Sequence, residues 1–201
     1  MKQAALGFRV HSGWTALVAV AVENGRPRVL ARQRLHLVET FNYRFRQPYH
    51  TAKRMPREQA AAFVATVAAE AKRLAEAAIR VVQSDLQKQG YALERASLLL
   101  ASGRTLPALE KILASHALIH TADGELFREA LLCAGKQCDL AAFTIKEREL
   151  SETLSELLCI KPPVLMSRVT AAGKPLGAPW SQDEKFATLA AWLALSRRKH
   201  S

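Results

Sequence analysis

The sequence predicts an α/β fold in which a three-strand antiparallel meander is extended by parallel strands and flanked by helices. Three observations predict it. Residues 4–38 hold three strand-like segments separated by tight-turn sequences, residues 56–89 form one long alanine-rich helical pattern, and beyond residue 96 short apolar runs alternate with helical ones. A chain of 201 residues buries a core without disulfides or metal, so a single domain over 1–201 is expected.

In the first strand, Leu6, Phe8 and Val10 alternate with Ala5, Gly7 and Arg9. His11-Ser12-Gly13 turns the chain into Thr15–Val22, which is apolar on both sides, as a strand covered on both faces requires. Asn24-Gly25 favours a hairpin turn into a third strand over 28–38. There Arg28, Arg32, Arg34 and His36 share one face and Val29, Ala31, Leu35 and Leu37 the other, the pattern of an edge strand with a wet, cationic side.

Residues 39–55 lose this period and read as a loop in which Phe41, Tyr43, Phe45 and Tyr49 are interleaved with Arg44 and Arg46, followed by Lys53 and Arg54. Aromatic faces stack on bases while guanidinium groups meet phosphates, at about 1–3 kcal/mol per stacked base. The plainer reading makes Phe41, Tyr43 and Phe45 the inward side of a continuing strand. Pro56 opens a helix running to Gln89 and stopped by Gly90, with Phe63, Val67, Leu74, Ala78, Val82 and Leu86 inward. Its alanine content suits close packing or a homo-oligomer or protein interface, and high helix propensity accounts for it equally.

A buried fourth strand is expected over 96–101, ending in Ser102-Gly103-Arg104. A short helix follows from Thr105 to about His116, then a second from about Asp123 to Cys138, and a short fifth strand over 140–143. Thr144 and Glu147 have capping-box spacing for the next helix. Residues 161–180, with four prolines and two glycines, are expected as an extended arm. Ser181 and Glu184 form another capping box before a final helix with Phe186, Leu189, Ala190 and Leu193 inward.

The net charge of +11 is concentrated at one end of the chain. Residues 1–57 hold 11 Lys/Arg against Glu23 and Glu39, while 58–201 are nearly balanced. A concentrated cationic surface gathers polyanions, so RNA or single-stranded DNA is the expected partner; a merely solvated face is the plain alternative. No apolar stretch reaches a membrane span and the amino terminus lacks a secretory pattern, which with the three unpaired-looking cysteines, Cys133, Cys138 and Cys159, suggests a cytoplasmic protein with buried, reduced thiols. Trp14, Trp180 and Trp192 are expected as core residues.

The order of elements, together with the opening Leu6-Gly7-Phe8-Arg9-Val10-His11-Ser12-Gly13-Trp14-Thr15-Ala16, resembles the ribonuclease H-like superfold, and within it the resolvase-type nucleases of the Holliday-junction class. The resemblance implies an Asp in the first strand, an acid at or beyond the fourth, and acids on the last helix, which together hold metal ions. Here the first position falls at Gly7 or Arg9, the fourth strand runs into Ser102-Gly103-Arg104, and only Asp183 and Glu184 stand near the last helix, where capping accounts for them. Two-metal cleavage needs clustered carboxylates, so the resemblance implies a scaffold that binds rather than cuts, with no cofactor.

The leading expectation is therefore a non-catalytic nucleic-acid-binding accessory protein that uses Arg28, Arg32, Arg34, Phe41, Tyr43, Arg44, Phe45, Arg46, Lys53 and Arg54. A second reading is a metal-dependent hydrolase or nuclease near His116, His120, Asp123 and Glu125, where two histidines four apart share a face if the segment is helical. Against it, Leu118-Ile119 reads as extended, capping explains the acids, and Glu125 with Arg128 reads as a solvated ion-pair face. A protein-assembly subunit is a third reading.

Overall fold

The computed structural model describes residues 1–100 and 105–197. Ser102-Gly103-Arg104 and the basic tail beyond Arg197 lie outside the described residues. The described residues form a mixed five-stranded sheet of β1 (Lys2–His11), β2 (Trp14–Glu23), β3 (Arg26–His36), β4 (Tyr91–Leu100) and β5 (Ala141–Lys146), ordered β3-β2-β1-β4-β5. The first three strands pair antiparallel, and β4 and β5 add in parallel beside β1. The antiparallel meander extended by parallel strands, with β1 and β2 inside the sheet and β3 at its edge, is the arrangement the sequence predicts.

One face of the sheet carries α3 (Arg57–Lys88) and α5 (His116–Gln137), which bury Leu6, Phe8, Leu17 and Leu98. At 1.5 Å per residue α3 is about 48 Å long. Its central buried stripe is Val67, Ala71, Ala75, Ile79, Val82 and Leu86; Leu74 and Ala78, expected inward, are only partly covered. Small residues at 71 and 75 allow α3 to approach α5 closely, which a leucine in their place would prevent.

The other face carries α8 (Gln182–Ser196), with α6 (Glu147–Leu158) and α7 (Pro162–Gly173) beside it. Ala187 through Ala194 are all buried, since α8 packs on the sheet with one side and on α6 and α7 with the other. It lies so close to β1 that a Cβ on Gly7 would stand 1.8 Å from the Ala187 carbonyl oxygen. The Ser181 capping box is present: its hydroxyl accepts from the Asp183 N–H at 3.1 Å, and Glu184 accepts from the Ser181 N–H at 2.8 Å. Ser181→Ala is expected to lower stability by about 1 kcal/mol, read as a downward shift of the urea midpoint.

Several elements differ from expectation for identifiable reasons. The segment expected as a loop holds α1 (Tyr43–Arg46) and α2 (Pro48–Ala52), started by Asn42, whose Oδ1 accepts from the Phe45 N–H at 3.2 Å, and by Pro48 at a first helical position. A short α4 (Leu109–Leu113) precedes α5, which begins at His116 under a Ser115 cap rather than at Asp123, so Leu118 and Ile119 are helical. β4 begins at Tyr91, extended beside β1, and β5 runs through Thr144 to Lys146, so Thr144 pairs in the sheet and caps nothing. Most of the expected extended arm is α7: Pro162 and Pro163 occupy its first turn, where their missing N–H groups leave no intrahelical bond unmade.

Of the cysteines only Cys138 is buried, and burial pushes its thiol pKa up; Cys133 and Cys159 are free but exposed, contrary to the buried thiols expected. Trp192 is buried in the core, while Trp14 and Trp180 are half-buried at its margins. Among the described residues no helix is long and apolar enough to cross a membrane.

Candidate nucleic-acid interface and adjoining histidine cluster

At the C-terminal end of β1 an arginine occupies the ground between the acids. Arg9 donates from Nε and Nη2 to the two carboxylate oxygens of Glu147 at 3.0 and 2.9 Å, and from Nη1 to Asp183 Oδ1 at 2.6 Å. His11 Nε2 stands 2.8 Å from the same Asp183 oxygen. Burial alone would lower the Arg9 pKa; the bonds to Glu147 and the charges of Glu147 and Asp183 outweigh it and hold the guanidinium above its ordinary value. These residues do not fit the paired metal ions of resolvase-type nucleases. Gly7 has no room for any side chain, and Arg9 already fills the space between Glu147 and Asp183 with a fixed positive charge. Arg9→Met is expected to lower stability by about 1–2 kcal/mol at neutral pH, discounted for partial exposure, because Glu147 and Asp183 are left facing each other; the urea midpoint checks it.

From Asp183 a continuous stack of rings and guanidinium groups leads to the arginine-aromatic segment. His11 lies face to face with Trp14 at 4.3 Å, and the Arg34 guanidinium sits 3.8 Å from the Trp14 ring centre. Arg34 also reaches the Phe41 ring at 5.8 Å, where Arg46 approaches to 4.4 Å and His36 stacks at 4.3 Å. Arg46 is tied to the β1–β2 turn through a bond from Nε to the Ser12 carbonyl at 3.3 Å, and its side chain fills the space that a Cβ on Gly13 would occupy. Arg44, on the same short helix, lies over Phe45 and Phe63. Among the described residues Arg34, Arg44 and Arg46 have no carboxylate partner. Ring contacts orient a guanidinium at about 0.5–1 kcal/mol without cancelling its charge, so these three remain available to phosphate.

The other sequence-predicted residues are placed differently. A β-bulge at Leu30 shifts the β2–β3 register, so that Val29 pairs with Val20 but Ala31 with Ala19. Cross-strand partners point to the same side of a sheet; Arg28, opposite Ala21, therefore lies on the α3 face, and Arg32 and Arg34, opposite Val18 and Ala16, on the α8 face. The shared face expected for Arg28 is lost. Arg28 is paired with Glu23 at 2.9 Å. Arg32 is held by the carbonyls of Leu176, Gly177 and Pro179 and so ties β3 to the segment after α7. Tyr43 is 60% exposed, whereas Phe41 and Phe45 pack against the main core as well as carrying arginines. Lys53 and Arg54 are exposed just beyond α2.

Beside this stack, α2 and α5 bring three histidines together. His116 and His120 share a face of α5 with their Nε2 atoms 3.0 Å apart, and His50 of α2 packs edge-on against both rings. One nitrogen from each of the three lies within 4.8 Å of the others. Asp123, one helical turn on, is 2% exposed; its carboxylate accepts from the Tyr49 N–H at 2.7 Å and stands 2.5 Å from His50 Nδ1. Burial pushes its pKa up against the lowering pull of the His50 and Tyr49 bonds and of the nearby His120. Asp123 thus faces His50, not open space. Glu125 turns away to Arg128 at 2.9 Å, in a pair whose side chains are only 12% exposed rather than solvated. Of the expected metal group His116 and His120 converge, while Asp123 and Glu125 are occupied otherwise.

Nothing in the sequence points to His50, or to the stacking of His11 on Trp14 and of His36 on Phe41. The place of His50 after Pro48 suits a short helix, but nothing in the chain ties it to residues 116–120.

No protein-family model matches this chain, and no curated protein shows significant sequence similarity to it. Solved structures do share its fold. Thermus thermophilus RuvC in complex with a Holliday junction substrate superposes with a TM-score of 0.56 at 12% identity, covering 96% of this chain and 93% of that one. A further Thermus thermophilus RuvC structure matches over the same shares with a TM-score of 0.55 at 12% identity. The fold is thus ribonuclease H-like, with resolvase-type neighbours, as the element order and first hairpin indicated.

Proposed function

We propose that this protein binds nucleic acid without cutting it, through the arginine-aromatic stack of Arg34, Phe41, Arg44, Phe45 and Arg46, with Trp14, exposed Tyr43, Lys53 and Arg54 at its borders. The observation that carries this reading is that Arg34 and Arg46 converge on one ring, Phe41, uncompensated by any carboxylate among the described residues. Rings beside guanidinium groups are the chemistry that takes bases and phosphates together. The stack also adjoins Arg9, Glu147 and Asp183, at the end of β1 where the resolvase resemblance implies that a substrate would lie. That the solved neighbour RuvC holds a Holliday junction is further support for a nucleic-acid ligand. Arg9 between the acids and the closed space at Gly7 favour binding over metal-dependent cleavage.

The test is a titration of fluorescent single-stranded oligonucleotide and of a four-way junction across a salt series, with the same substrates incubated with Mg2+ and resolved on a gel. Three phosphate contacts predict a log–log salt slope of about −2 on single strands. A flat salt response overturns the proposed surface, and Mg2+-dependent scission overturns the non-cleaving part.

A further inference from the structure

The convergence of His50, His116 and His120 is independent of the nucleic-acid reading, and a helix cap does not explain it. Asp123 alone suffices to satisfy the backbone N–H of Tyr49 at the start of α2. Nothing in that cap requires three imidazoles to meet, two from exposed positions of α5 and one from a segment far away in sequence. We propose that they form a transition-metal site whose occupant is Zn2+, with the Nε2 atoms of His50, His116 and His120 as the three protein ligands and water in the remaining position.

The donor chemistry supports the assignment. The 2.5 Å contact of His50 Nδ1 with the Asp123 carboxylate leaves Nε2 as the ring nitrogen turned to the other two histidines, because a neutral imidazole that donates from Nδ1 carries its lone pair on Nε2. A carboxylate that fixes the tautomer and orientation of a ligating histidine in this way is the usual outer support of a zinc site. Three neutral imidazoles with no carboxylate among the ligands suit Zn2+ and its neighbours in the transition series and are a poor match for Mg2+ or Ca2+, which take oxygen. The spacing is also close to the requirement. Nitrogens bound at about 2.0–2.1 Å around a tetrahedral ion are about 3.4 Å apart. One nitrogen of each ring already lies within 4.8 Å of the others, the Nε2 atoms of His116 and His120 are 3.0 Å apart, and both of these residues are exposed and free to make the small rotations needed. The ion would join α2 to α5 and so hold in place the segment that carries Arg44 and Arg46.

Protein stripped with chelator and titrated with Zn2+ against a chromophoric competitor is expected to take up one equivalent with sub-micromolar affinity. Co2+ in its place is expected to give visible absorption bands of a four- or five-coordinate ion. His116→Gln combined with His120→Gln alters only exposed side chains of α5 and is expected to abolish both signals while leaving the far-UV spectrum and the metal-free melting curve unchanged. Asp123→Asn is expected to weaken binding by about 10–100-fold, as loss of an outer support does. Uptake with no one-equivalent saturation, or full retention of Zn2+ and the Co2+ bands by the double histidine variant, overturns the site. None of these measurements depends on whether the protein binds nucleic acid.

Discussion

Replacing Arg34, Arg44 and Arg46 together with glutamate is expected to abolish the proposed oligonucleotide binding. Each reversal removes one cation and adds one anion, Arg34 and Arg46 beside Phe41 and Arg44 beside Phe45 and Phe63, so the three convert a cationic patch into a repulsive one. For single strands each lost phosphate contact removes about 0.7 from the log–log salt slope, and loss of three leaves almost none of the slope expected for the parent protein. The predicted fall in affinity is at least about 100-fold at moderate salt. Arg28→Glu is the internal comparison. Arg28 is already paired with Glu23, and the bulge at Leu30 turns it to the face of the sheet opposite Arg34, so its reversal is expected to leave oligonucleotide affinity within about twofold. Unchanged binding by the triple variant, with its melting curve intact, removes the basis of the proposed interface; strong loss on Arg28→Glu relocates it.

The second large effect concerns stability. Gly7→Ala introduces a Cβ 1.8 Å from the carbonyl oxygen of Ala187 and 2.7 Å from the amide nitrogen of Ala191. Both are backbone atoms of α8, which cannot rotate aside as a side chain would, so the helix must lift from β1 and β2 along its length. Overpacking of this kind costs about 1–3 kcal/mol and occasionally more, and a backbone clash belongs at or above the upper end. The expected result is a large downward shift of the urea midpoint; a variant as stable as the parent contradicts the close seating of α8. The same contact bears on function, since the space that refuses a methyl group also refuses the metal-binding carboxylate implied for the first strand of a resolvase-type nuclease.

Local pattern and tertiary placement contributed unequally to what was legible. The two-sided apolar run over Thr15–Val22, the Asn24-Gly25 turn and the Ser181–Glu184 cap each act through near neighbours, and each is found where expected. Sequence and structure differ where two local signals of similar strength compete. Prolines 162 and 163 serve equally to break a chain or to begin a helix, and the apolar partners Leu165 and Val169 decided for the helix by packing against α8. Residues 116–122 lacked a strong local signal of either kind until burial of Ile119 and Ala122 against α4 made one face useful.

The sequence by itself determined the three-strand meander, the cationic bias of the first third and the presence of Arg9 in the first strand. These follow from residue type and short-range period, which a linear chain displays directly. Only the tertiary structure decided which cations remain available and which are consumed: Arg28 by Glu23, Arg32 by the carbonyls after α7, Arg9 by Glu147 and Asp183. It alone also brought His50 to His116 and His120. The physical reason is that charge and ligand chemistry act through space over a few ångströms, and the packing of α2 on α5 and one extra residue in β3 set those distances.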